Sequence, residues 1–166
     1  MRRPAGFTIV EIVVVLLLMS ILAATVIGRS ITTSNLDLNS ATDKIRNQLR
    51  FAQAQAMKRT DAVWGIQSDG GTQYWMFRAT PTITEDVIIP GGDYPSGNTR
   101  IPFSNLGASL NSFTVVFDWL GRPYKAQALG VPSSPVTTAN SLTISVSKGT
   151  EPPRSITITP ETGLIR

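Results

Sequence analysis
The chain has 166 residues, enough for one domain of ordinary size with a real core plus an apolar segment. It contains no cysteine and no histidine, which removes disulfides, thiol catalysis, thiolate metal sites, Ser-His triads, the common zinc sites and the usual general base at neutral pH. Net charge is +4, but two of the 15 basic residues, Arg2 and Arg3, precede Phe7, which leaves 13 against 11 acidic ones and only a weak argument for a nucleic-acid partner.

The first element is the run from Phe7 to Ile27, FTIVEIVVVLLLMSILAATVI. About 20 apolar residues at about 1.5 Å each cross the hydrocarbon core of a bilayer, so the run reads as a membrane-spanning helix. Met1-Arg2-Arg3-Pro4-Ala5-Gly6 before it is short, basic and helix-breaking, and its charges predict a cytoplasmic N-terminus with everything after Ile27 on the far side. Glu11 is the anomaly. A carboxylate at the centre of a spanning helix costs about 2.5 to 3.5 kcal/mol on insertion scales, less near an end, and calls for a compensating cation. Cleavage after Gly6 would create one, the new ammonium of Phe7. A secretory signal peptide cut near Ala23-Ala24 would have a shorter core free of acids, and a plain single-span anchor would leave Glu11 unexplained.

The basic leader, Gly6, Phe7, Thr8 and Glu11, followed by the unbroken apolar run, resemble the type IV pilins and the pseudopilins of type II secretion. The resemblance implies that a prepilin peptidase cuts between Gly6 and Phe7 and methylates the new amino group. It also implies that Phe7 and Glu11 are the assembly pair, Glu11 meeting the N-terminus of a neighbouring subunit.

Beyond the apolar run no proline occurs until Pro81, and Leu38, Ala41, Ile45, Leu49, Ala52 and Ala56 recur every three or four residues. This predicts an amphipathic helix laid on a head domain, with Asp43, Lys44, Asn47, Arg50, Gln53 and Lys58 on the other face and weak points at Gly28 and 32–35. The period then changes. Ala62 to Gln67 and Gln73 to Ala79 read as a hairpin around Ser68-Asp69-Gly70-Gly71, with Trp64, Ile66, Trp75 and Phe77 as packing residues. From Pro81 to Leu110 the prolines and glycines predict loop, with one short strand at Val87-Ile88-Ile89. Ser112 to Trp119 is the clearest strand, turned by Leu120-Gly121-Arg122-Pro123 into a partner over Tyr124 to Leu129. Gly130 to Ala139 reads as loop, and Ser141 to Ser147 with Arg154 to Thr159 as a closing hairpin. The fold class is therefore α+β: a long N-terminal helix packed on a small antiparallel β-sheet or two-sheet sandwich. The division is 1–6 leader, 7–28 transmembrane and assembly helix, 29–60 amphipathic helix and 61–166 β-rich periplasmic head.

In the head, FTVVFDWLGR from Phe113 to Arg122 and ITITPETGLIR from Ile156 to Arg166 resemble the GspH/FimT branch of pilin-like proteins. That branch includes minor pseudopilins with a two-sheet head and minor type IV pilins, some of which bind DNA for uptake. DNA binding there goes with a tail of the form Gly-Arg-x-Arg; the matching positions here are Gly163, Leu164, Ile165 and Arg166, so one arginine is missing, and Arg154 and Arg166 would be the nucleic-acid contacts. Glu85-Asp86 is an adjacent pair of acids without a third ligand, and neither a GxSxG elbow nor a phosphate loop is present in a supporting context.

The reading is a non-enzymatic minor pseudopilin or pilin-like subunit of a type II secretion system, with no cofactor and no metal. It sits in the bacterial inner membrane before joining a periplasmic filament, and its partners are other pilins or pseudopilins, the prepilin peptidase and the inner-membrane assembly platform. The alternatives are a FimT-like minor type IV pilin binding DNA in natural transformation, and a membrane-anchored periplasmic enzyme.

Overall fold
A computed structural model describes residues 8–126, 132–139 and 141–166, with side chains excepted at 25–35, 126 and 132–134. These residues fall into two compact units, one ending at Leu36 and the other running from Asp37 to Arg166. Helix α1, Ile9–Lys58, contributes to both, and its backbone is α-helical through Gly28 and 32–35, where the sequence predicts weakness.

In the second unit the predicted stripe is the buried face of α1. Leu38, Ala41, Ile45, Leu49, Ala52 and Ala56 are all at most 3% exposed. All six recur three or four residues apart, and four of them have short or β-branched side chains, which lets the sheets approach the helix closely. Two polar residues share this buried side, Thr42 and Gln48. Thr42 satisfies its hydroxyl by donating to the Leu38 carbonyl, 2.7 Å away.

The larger sheet is antiparallel. Strands β1 (Val63–Ser68) and β2 (Gln73–Ala79) form the predicted hairpin. Strand β3 (Thr84–Val87) pairs with β2 on its outer side, and the two-residue β4 (Ile101–Pro102) continues along the same side. Beyond a short helix α2 (Phe103–Leu106) and β5 (Ser109–Leu110), strand β6 (Phe113–Phe117) returns beside β1. Strands β7 (Pro123–Ala126) and β8 (Pro132–Pro135) complete the order β3-β2-β1-β6-β7-β8. The smaller sheet has β9 (Leu142–Ser147) between β10 (Arg154–Ile158) and β5. The closing hairpin is therefore as predicted, and the head has two antiparallel sheets.

Three expectations change. The strand expected at Val87-Ile88-Ile89 lies at Thr84–Val87, because the ladder to β2 pairs Met76 with Val87 and Ala79 with Thr84, while Ile89 is buried beyond its end. The loop expected up to Leu110 contains β4, α2 and β5, each too short to show a period. The loop expected over Gly130 to Ala139 contains β8, whose two prolines are tolerated at the edge of the sheet. The far end of the strand expected over Tyr124 to Leu129 lies outside the described residues.

The core lies among α1 and the inner faces of both sheets: Trp64, Ile66, Tyr74, Met76, Val115 and Phe117 from the larger one, Ile144, Val146, Ile156 and Ile158 from the smaller. The larger sheet is also buried on its other face, where Trp75, Phe77, Ala79 and Val116 form a second cluster with Val63 and Tyr124. Pleat alternation splits the predicted packing residues accordingly, Trp64 and Ile66 inward and Trp75 and Phe77 outward. Gly65 makes the outer cluster close: a Cβ there would stand 2.7 Å from Val116 Cγ1 and 2.8 Å from Phe77 Cζ, so the ring fills the space a side chain would take.

Candidate functional site
The N-terminal unit starts from a helix cap. Thr8 directly precedes α1, and its hydroxyl and carbonyl oxygens both accept from the Glu11 backbone N–H, at 3.3 and 3.1 Å. Thr8-x-x-Glu11 is thus the spacing of a capping box, with the acid in the first turn where the helix dipole favours negative charge. Glu11 is exposed, and among the described residues its carboxylate has no hydrogen-bond or ion-pair partner. The charge role expected of Glu11 leaves this cap out, although the T-x-x-E spacing carries it. Gly6 and Phe7, the expected processing residues, lie outside the described residues.

From Ile9 to Leu22 every large apolar side chain is between 48% and 82% exposed, on all sides of the helix. A helix apolar all round has no solvent face to offer water and requires an apolar surrounding. Ser20 within it satisfies its hydroxyl by donating to the Leu17 carbonyl at 2.8 Å. Among the described residues no helix is long and apolar enough to cross a membrane. Of the span expected over 7–28, the described side chains cover Thr8 to Ala24, and from Ile9 onward they belong to the apolar helix.

The expected nucleic-acid contacts are both exposed, Arg154 in the smaller sheet and Arg166 in the tail beside it. Arg154 opens β10 opposite Val146 and lines an open groove of about 570 Å³ with Asn39, Thr42, Asp43 and Arg46. Asp43 in that groove is paired with Arg46. Arg166 ends the tail, which runs antiparallel to β10: Thr157 and Arg166 exchange both backbone hydrogen bonds, at 3.1 and 3.0 Å. The two acids at 85 and 86 do not converge, because neighbours on a strand point to opposite faces. Asp86 accepts from Arg100 Nε at 2.8 Å, and that guanidinium lies 4.0 Å over the Trp75 ring, while Glu85 is exposed. Among the described residues no group of three or more Asp, Glu, His or Cys could hold a metal ion.

Residues 1–27 match the family model described as the prokaryotic N-terminal methylation motif. This is the type IV pilin-like prepilin signal, the mark of precursors that are processed by prepilin peptidase and assemble with other pilins, and it points to a structural subunit rather than an enzyme. Comparison with curated proteins and with solved structures gives no match.

Proposed function
We propose that the protein is a minor pilin-like structural subunit, made as an inner-membrane precursor with a cytoplasmic leader, cut between Gly6 and Phe7, and carried by its N-terminal helix into a periplasmic filament of a type II secretion system. The observation that carries this is the coincidence of the methylation motif with a helix whose large apolar side chains are exposed on every face from Ile9 to Leu22. Such a surface suits lipid before assembly and the apolar sides of neighbouring helices after it, so one segment serves both anchoring and polymerisation. A FimT-like minor type IV pilin would use the same N-terminal chemistry, and the GspH/FimT resemblance of the head accommodates either system.

Processing tests the reading directly. Gly6 stands at the junction, and a peptidase that threads backbone through a narrow site is sensitive to a Cβ there. Mass spectrometry of the mature protein should give a chain starting at a methylated Phe7, and Gly6→Val should accumulate as full-length precursor in the inner membrane. A mature chain starting elsewhere, such as after Ala24, would remove the pilin reading.

A further inference from the structure
The outer edge of β10 combines unused backbone groups with a groove. The tail runs along part of this edge: Thr159 donates to the Leu164 carbonyl at 2.8 Å, and Thr157 and Arg166 exchange both backbone bonds. Along a strand every second residue turns its N–H and C=O to the same side, so the next to face that way is Ser155. The neighbouring strand agrees. Ser145, opposite Ser155 on β9, donates its N–H to Asn111 Oδ1 at 2.7 Å and accepts the Asn111 N–H at 3.3 Å, both away from β10. The two serines are therefore a pair without mutual hydrogen bonds, and Ser155 turns its N–H and C=O outward. Ser155 is exposed, and among the described residues nothing covers these two groups. Pro153, which has no N–H, ends the open stretch.

The open groove of about 570 Å³ lies here, between the start of β10 and the face of α1 that carries Asn39, Thr42, Asp43 and Arg46. Arg154 shares a face of β10 with the core residues Ile156 and Ile158, so its side chain stands on the helix side of the sheet. Arg46 is paired with Asp43, whereas Arg154 has no ion-pair partner among the described residues. The groove thus has one positive charge in excess and suits an acidic occupant. No aromatic ring lines it, so a nucleic acid would find no stacking platform there.

We infer that this groove receives an extended acidic segment of another protein, added to β10 as a further antiparallel strand in line with the tail. One residue of the segment lies opposite Ser155 and exchanges both backbone bonds with it. The residues on either side of that one turn their side chains to the helix side, where a carboxylate meets Arg154. Backbone pairing fixes the position, and Arg154 selects for acid. The inference goes beyond the assembly role and does not depend on it, because every group it uses lies in the second unit.

The probe is a fluorophore-labelled peptide, Thr-Glu-Val-Glu-Thr amide, titrated against the full-length protein in detergent and read by anisotropy. It should bind saturably with its valine opposite Ser155. N-methylation of that valine removes the donor to the Ser155 carbonyl and should weaken binding about tenfold, whereas N-methylation of the second glutamate, whose N–H points to solvent, should change little. Ser155→Pro in the protein should match the valine methylation, and Arg154→Gln should weaken binding about threefold, as an exposed ion pair implies. Thermal melts followed by tryptophan fluorescence check that both variants fold, and the methylated peptides decide the point even where Ser155→Pro does not. No saturable binding, or binding that falls with Arg154→Gln but ignores the backbone changes, would overturn the inference. Displacement of the peptide by single-stranded oligothymidylate more effectively than by unlabelled peptide would overturn it too, and would return Arg154 to a nucleic-acid role.

Discussion
Asp69 shows how much one side chain can organise in this head. Its Oδ1 accepts the backbone N–H groups of Gly71, Thr72 and Gln73 at 2.9 to 3.0 Å, and its Oδ2 takes the Thr72 hydroxyl. Desolvation raises the pKa of this carboxyl, but the hydrogen bonds from Gln73, Gly71 and Thr72 together outweigh it and hold the group well below the usual carboxylate range. A folded-state value below the unfolded one means a contribution complete above the unfolded value of about 3.9 and lost as pH falls toward the folded value. Asp69→Asn keeps an Asx-type acceptor without the charge. Wild type should therefore lose unfolding midpoint relative to Asp69→Asn between about pH 4 and pH 2, and the two should run parallel above pH 5, as read by thermal melts. Asp118 also organises a turn, after β6, where its carboxylate accepts the N–H groups of Leu120 and Arg122 and the Arg122 guanidinium, all at 2.8 to 2.9 Å. The sequence marks both turns through their glycines. It does not mark which acid closes them, since that depends on where the strand before the turn ends.

The elements that were legible are those long enough to show a period. The α1 stripe from Leu38 to Ala56 is one, and a truncation in it should be felt throughout the head. Leu49, fully buried, should cost about 2 to 5 kcal/mol as Leu49→Ala, whereas Asn47→Ala on the exposed side should stay within about 0.5 kcal/mol. Denaturant titration followed by tryptophan fluorescence reads this cleanly, because Trp64, Trp75 and Trp119 all follow α1 in the chain. The opposite face of α1 was only half legible. Asp43 and Asn47 are exposed as expected, but Arg50 donates to the Ile165 carbonyl at 3.2 Å and Gln53 ties two glycine turns. Polar side chains that reach distant carbonyls look the same in sequence as side chains that reach water. Strands β4, β5 and β8 escaped for another reason: at two to four residues their pairing is decided by the neighbouring strand, not by their own composition.

At the scale of the whole molecule, substitution of Glu11 tests the proposed assembling subunit against a simple anchor. In the proposed filament, a dry bundle of helices, a carboxylate would be tolerable only beside a cation, and the proposed cut after Gly6 would supply one in the Phe7 ammonium of a neighbour. Opposite charges about 4 Å apart attract by about 4 kcal/mol at an effective dielectric constant of about 20, and desolvation offsets much of it, so such a pair would act on register and recruitment more than on final stability. Glu11→Leu should insert and be cleaved after Gly6 like wild type but join filaments poorly, and Glu11→Gln should fall between them, as followed by Val13→Cys cross-linking. Equal incorporation of all three would return the segment to the role of an anchor. Glu11→Leu also leaves the Thr8 cap in place, because that bond uses the backbone N–H of residue 11.

By itself the sequence determined what depends on local chemistry along the chain: the leader, Gly6, Phe7 and Glu11 ahead of an apolar run, the 3.6-residue stripe, and the two hairpins whose alternation and turn residues agree. These are short-range signals, and each rests on residues that are neighbours in the chain. Only the tertiary structure decided that the larger sheet is buried on both faces, that β5 crosses to the smaller sheet, and that Gly121 and Gly163 meet under Gln53, 68 and 110 residues away. Contacts at that separation are chosen by packing, and no period or turn signal along the chain encodes which of many polar side chains will find a carbonyl across the core.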